Sequence, residues 1–120
     1  MNNIILMKLP PENECGCAEY KYKFDENVLI KRPNRKEQLQ TQMLYRMNEG
    51  CGHCIYYIGV CDDGEIKGIS LEEITYSESV LLDLIDKNGF TLVNKQDIGI
   101  NNYARIYNIC RLHQNGNNVL

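Results

Sequence analysis

The chain has 120 residues, 43% of them apolar and 24% charged, with a formal net charge of −3. This is enough for one domain with a single core, and the charge excludes a dominantly basic surface, though not a local basic patch. No run approaches the ~20 consecutive apolar residues that a membrane-spanning helix needs.

Residues 1–13 read as an extended lead-in that ends at Pro10-Pro11. The start, Met1 to Met7, has no basic residues ahead of its apolar run. A signal peptide is therefore not expected, and a cytoplasmic, reducing setting is. Residues 14–113 are expected to form one α+β domain. The polar tail, 114–120, reads as frayed.

Segment 17–24 alternates, which marks a half-buried strand. Ala18, Tyr20, Tyr22 and Phe24 take one face, and Cys17, Glu19, Lys21 and Lys23 the other. A helix is predicted over 34–49. Pro33 precedes it, Leu39, Met43 and Met47 recur every four residues, and Gly50 stops it. The β-rich run His53 to Cys61 leads into Asp62-Asp63-Gly64 and then Glu65 to Ile69, a hairpin signal. Ser70 and Glu73 form a capping box that opens a helix over 71–88. That helix is expected to bury Leu71, Ile74, Leu81, Leu82 and Ile85. Phe90–Asp97 and Tyr103–Leu112 read as two strands joined at Gly99–Asn102. The order β-α-β-β-α-β-β predicts a mixed sheet with two helices packed on one face.

Several catalytic signatures are missing from the sequence. It has no G-x-x-x-x-G-K-[ST] loop, no H-E-x-x-H and no G-x-S-x-G. Cys15-Gly16-Cys17 and Cys51-Gly52-His53-Cys54 are spaced as two ligand pairs. If the first two strands are parallel, both pairs meet at one end of the sheet. Zinc held by Cys15, Cys17, Cys51 and Cys54 is one reading, and four unliganded thiols is the other. Glu14, Glu19 and Asp62 offer carboxylates that could gather a divalent cation, against the plain reading of Asp62-Asp63-Gly64 as a tight turn.

Basic residues crowd early. Lys21 and Lys23 lie on the first strand, Lys31, Arg32, Arg35 and Lys36 around the start of the first helix, and Arg46 further along it. Positive charge at a helix N-terminus opposes the macrodipole, and a phosphate-bearing partner would offset that. These seven residues are the expected RNA contacts. The competing reading is a solvated face neutralised by Asp25, Glu26 and Glu37.

Several motifs occur in an order that resembles a known family. They are Leu9-Pro10-Pro11-Glu12, then Ala18-Glu19-Tyr20-Lys21-Tyr22-Lys23, then Glu37 to Met43. Tyr45 to Gly50, Ile58-Gly59-Val60 with Asp62-Asp63-Gly64, and Gly68-Ile69-Ser70 with Glu72-Glu73 follow. Together they resemble the N-terminal domain of the elongation-factor-like GTPases called GTP-binding protein one and two. In those proteins a translational GTPase core follows this domain. The resemblance therefore implies a non-catalytic, translation-linked accessory domain whose partner is RNA, the ribosome or a translation GTPase. The cysteine pairs depart from that family's pattern, so any zinc would be particular to this chain.

A looser likeness links Glu19-Tyr20-Lys21 and Gly59–Gly64 to Schlafen and AlbA-type domains, with Cys61 interrupting the turn motif. It implies the alternative of a Mg²⁺- or Mn²⁺-dependent ribonuclease acting on transfer RNA through Glu14, Glu19 and Asp62.

Overall fold

In the computed structural model, residues 8–111 are described. The elements are β1 (Ala18–Lys21), α1 (Glu26–Lys31), α2 (Arg35–Glu49), β2 (His53–Ile58), α3 (Leu71–Lys87), β3 (Thr91–Asp97) and β4 (Arg105–Cys110). They form an α+β domain around a four-stranded sheet of order β1-β2-β4-β3. β1 and β2 are parallel, a pairing that needs the crossover α1 and α2 supply, and β4 runs antiparallel to both β2 and β3. The ends, 1–7 and 112–120, hold the start of the expected lead-in, the end of the last expected strand and the expected tail. Those expectations lie outside the described residues.

The two long helices share one face of the sheet. α2 packs on β2, α3 on β3, and the helices touch each other. Leu39, Met43 and Met47 of α2 are buried as their spacing predicts, against Cys54, Tyr56 and Ile58 of β2 and Tyr107 and Ile109 of β4 in one cluster. Truncating Met43 to Ala in such a site costs about 2–5 kcal/mol.

α3 starts where its capping box places it. Ser70 Oγ accepts from the Glu73 N–H at 3.1 Å, and Glu73 Oε1 accepts from the Ser70 N–H at 2.9 Å. Its buried face is rotated from the expected one. Leu71 and Leu82 are exposed, while Ser77, Val80 and Leu84 join Ile74, Leu81 and Ile85 inside. Leu82 lies ~100° around the helix from Leu81, so the stripe cannot hold both. Ser77 earns its interior position by accepting the Phe24 N–H at 3.0 Å.

Two further differences matter for the site. Residues 26–31 form a separate helix, α1, that the sequence pattern did not suggest. Asp25 caps it by accepting from Asn27 and Val28, and Leu29 anchors it to the core. The Glu65–Ile69 arm pairs through isolated bridges, Lys8 with Glu65, Val60 with Ile66 and Ile69 with Tyr103, so it is not a strand. The backbone passes close to Asn102 at Gly68, where a side chain would collide.

The alternation on β1 divides its two faces as expected. Glu19 pairs in register with Tyr56, and Lys21 with Ile58, so both lie on the helix-covered side. Tyr20 is on the other side, edge-on to Tyr57 with ring centroids 5.1 Å apart. The strand ends at Lys21, which leaves Tyr22 exposed while Phe24 turns into the core. No helix among the described residues is long and apolar enough to cross a membrane.

Candidate nucleic-acid interface

The seven expected basic residues separate into two groups. Lys31 closes the last turn of α1, where positive charge suits the helix dipole rather than opposing it. Arg32 is the C-cap, its N–H donating to Val28 O at 2.9 Å. The chain turns at Pro33 and Asn34, with the Arg35 N–H bonded to Arg32 O at 2.9 Å, and α2 begins at Arg35. Lys31, Arg32, Arg35 and Lys36 are thereby collected at one helix–helix junction. Among the described residues, none of these four side chains forms an ion pair. Arg35 makes one long hydrogen bond to Gln38 at 3.4 Å and is half-buried, and the other three are exposed.

Lys21, Lys23 and Arg46 are each ion-paired within the chain, Lys23 at the surface. Lys21 Nζ lies 3.4 Å from Glu19 Oε2. Lys23 Nζ is 2.6 Å from Glu73 Oε2 on α3. That contact and the Ser70 N–H hold the Glu73 carboxyl down at about 2.

Arg46 is the hub of the sheet edge. It is only 4% exposed. Its Nε donates to Glu19 Oε1 at 2.8 Å, and its Nη1 to the carbonyls of Gly16 at 2.9 Å and Glu14 at 3.3 Å. Its Nη2 lies 3.7 Å from Glu12 Oε2. Burial opposes the guanidinium charge, but Glu19 and Glu12 outweigh it and hold the proton more firmly than usual. A cation so deeply buried and already faced by two carboxylates is not presented to a phosphate.

The three carboxylates of the nuclease alternative are not brought together as a metal site. Glu19 is buried against Arg46, while Glu14 and Asp62 are exposed. The backbone carbonyl of Glu14, not its carboxylate, takes the contacts from Tyr45 and Arg46. Among the described residues, the one group of three ligand atoms within 4.8 Å of each other is Cys61, Asp63 and Glu65. Asp63 there accepts the Glu65 N–H at 2.9 Å, as a tight turn demands.

The parallel pairing does bring the two cysteine pairs to the same end of the sheet. Their four sulfurs do not converge to metal-ligand spacing. Cys15 and Cys51 are exposed, Cys17 is half-buried, and Cys54 is buried. Burial, with neighbouring Cys17 and Cys110, pushes the Cys54 thiol up to about 12.

Glu12 is the residue that sequence reasoning passed over. It lay in the lead-in, and its one signal was its place in the Leu-Pro-Pro-Glu motif. A second network was also missed. Glu78 on α3 accepts from Lys95, Arg105 and the Tyr107 hydroxyl, tying the helix to β3 and β4.

GTP-binding protein 2 of Mus musculus and of Homo sapiens are each 37% identical to this chain over 92 residues. The chain is similar to one segment of GTP-binding protein 2. The match covers 75% of this chain but 15% of each relative, so the chain spans a small part of the curated proteins it matches. No family model matches the chain, and no solved structure does.

Proposed function

We propose that this chain is a non-catalytic binding module of the kind that accompanies a translation-associated GTP-binding protein, and that it contacts RNA phosphates through Lys31, Arg32, Arg35 and Lys36. The observation that carries this reading is the division of its cations. Among the described residues Lys21, Lys23, Arg46, Lys87, Lys95 and Arg105 are ion-paired, whereas Lys8, Lys67 and the four clustered at the α1–α2 junction are not, and of these only the four are adjacent to one another. Adjacent, unneutralised cations repel one another, and Arg35 and Lys36 also oppose the dipole at the start of α2; a polyanion relieves both. The similarity to a segment of GTP-binding protein 2 supports the accessory role, since the chain has no P-loop of its own.

The test is binding of a labelled single-stranded RNA and a transfer RNA to the native chain and to a variant with all four residues changed to Glu. The native chain should bind with strong salt dependence, and the variant should not bind. Equal binding by both would refute the assignment. Incubating the same transfer RNA with Mg²⁺ or Mn²⁺ addresses the ribonuclease alternative. The module reading expects intact RNA, and cleavage lost in Glu19→Ala would overturn it.

A further inference from the structure

The charged residues of the sheet all lie on one side. The four strands carry Glu19, Lys21, Lys95, Asp97 and Arg105, and no other Lys, Arg, Asp or Glu. Register puts every one of them in the rows of Tyr56, Ile58 and Tyr107, which are buried beneath the helices, and each is ion-paired there. The opposite side is the reverse of a water-facing sheet surface, which alternation normally fills with charged and polar residues. Ile55 and Tyr57 of β2 and Ile106 of β4 form its middle, each half-buried. At the β1 margin the lead-in meets it, where the Tyr20 hydroxyl donates to the Pro10 carbonyl at 2.9 Å. Its polar side chains pair with one another. His53 Nε2 lies 3.1 Å from Asn108 Oδ1, and Asn108 Nδ2 donates to Asn94 Oδ1 at 2.9 Å. A row bonded in this way loses little when water is excluded from it.

We infer that the uncharged side of the sheet is a self-association surface, on which a second copy of this chain stacks open side to open side. Charge selects the occupant. The strands offer no cation on this side to a phosphate, and no charge with which an acidic or basic peptide would pair. A second copy brings the same neutral surface, so the pair forms without opposing charges at the contact although each chain carries −3. β2 and β4 are the central strands, and a twofold axis through them sets apolar middle on apolar middle. Three strands ~4.8 Å apart and about six residues of ~3.3 Å each give a strip on the order of 300 Å² in projection. Standard interfaces bury ~800 Å² on each partner, so the association is weak, half complete on the order of 0.1 mM. Because α1 and α2 lie behind the sheet, stacking leaves both cationic junctions on the outside of the pair.

Sedimentation equilibrium of the full chain, from about 10 µM to about 1 mM, tests this, with NMR shifts followed over the same dilution series. The native chain should pass from monomer to dimer. Its concentration-dependent shifts should centre on Ile55, Tyr57, Ile106 and Asn108. Ile106→Lys sets two like charges into the pair and should weaken it at least about tenfold, with circular dichroism unchanged. Gln96→Lys places the charge beside Ile106 at an exposed position, and takes over as the test if Ile106→Lys does not fold. A native chain that stays monomeric at about 1 mM would overturn the inference. So would a dimer whose shifts fall on the helices, or one that forms as strongly in the folded variant. Shifts on the open side that appear only when single-stranded RNA is added would overturn it too, and would assign the surface to RNA.

Discussion

Arg46 and Arg35 sit on the same face-forming helix, eleven positions apart by their numbers, and have opposite fates. Arg46 is enclosed by Glu19, Glu12 and two backbone carbonyls, whereas Arg35 makes one long contact to a neutral side chain. The same division holds for the lysines: Lys21 and Lys23 are paired with acids, and Lys31 and Lys36 are not. A basic residue is available to a partner only if the fold has not already supplied its counter-charge. Which residues those are depends on contacts between distant parts of the chain.

The largest expected effect falls on the enclosed set. Arg46→Met would leave Glu19 charged and buried with its main partner gone, at a cost of about 3–5 kcal/mol. Urea unfolding should show this as a lower midpoint with an unchanged slope. A loss under 1 kcal/mol would mean that the buried pair is far less committed than its geometry shows.

The free set should behave in the opposite way. Replacing Lys31, Arg32, Arg35 and Lys36 with Ala should change stability by no more than about 0.5 kcal/mol, as surface substitutions do. It should also reduce the slope of log affinity for single-stranded RNA against log salt by about 3, if all four neutralise phosphates. A stability loss comparable to that of Arg46→Met would erase the distinction between the two regions.

The smallest effect concerns Lys23. Its contact helps hold the Glu73 carboxyl at about 2, so any stability from this contact is present above the ordinary carboxylate range and is lost as pH falls through about 2. In Lys23→Ala, NMR titration should find Glu73 moved back toward an ordinary carboxyl, though not fully, because the Ser70 N–H remains. An unmoved titration would show Lys23 to be uncommitted and return it to the free set.

Much of the architecture was legible because local signals agreed. The capping box fixed the start of α3, the four-residue spacing fixed the buried face of α2, and the helical crossover made β1 and β2 parallel. α1 was invisible because six residues with Val28 and Ile30 exposed carry no periodic stripe. Alternation on β1 divided its faces, but the burial of Glu19 was not legible, because Glu19 looks like a solvent residue until Arg46, 27 positions later, arrives beside it. The candidate site suffered from the same blindness. Residue type marked seven cations, but only tertiary contact showed three of them to be spent. Glu12 was missed because its role depends on a backbone N–H eight residues away.

The central claim is that only the unpaired junction meets RNA, and one binding experiment addresses it directly. Fluorescence anisotropy with a labelled single-stranded RNA should compare the native chain, the Lys31/Arg32/Arg35/Lys36 quadruple Ala variant and the Lys21→Ala, Lys23→Ala double variant. Circular dichroism would check that each is folded. The account predicts that the quadruple variant loses binding and that the double variant keeps native affinity and native salt dependence. Loss of binding in the folded double variant, with the quadruple variant unaffected, would contradict it.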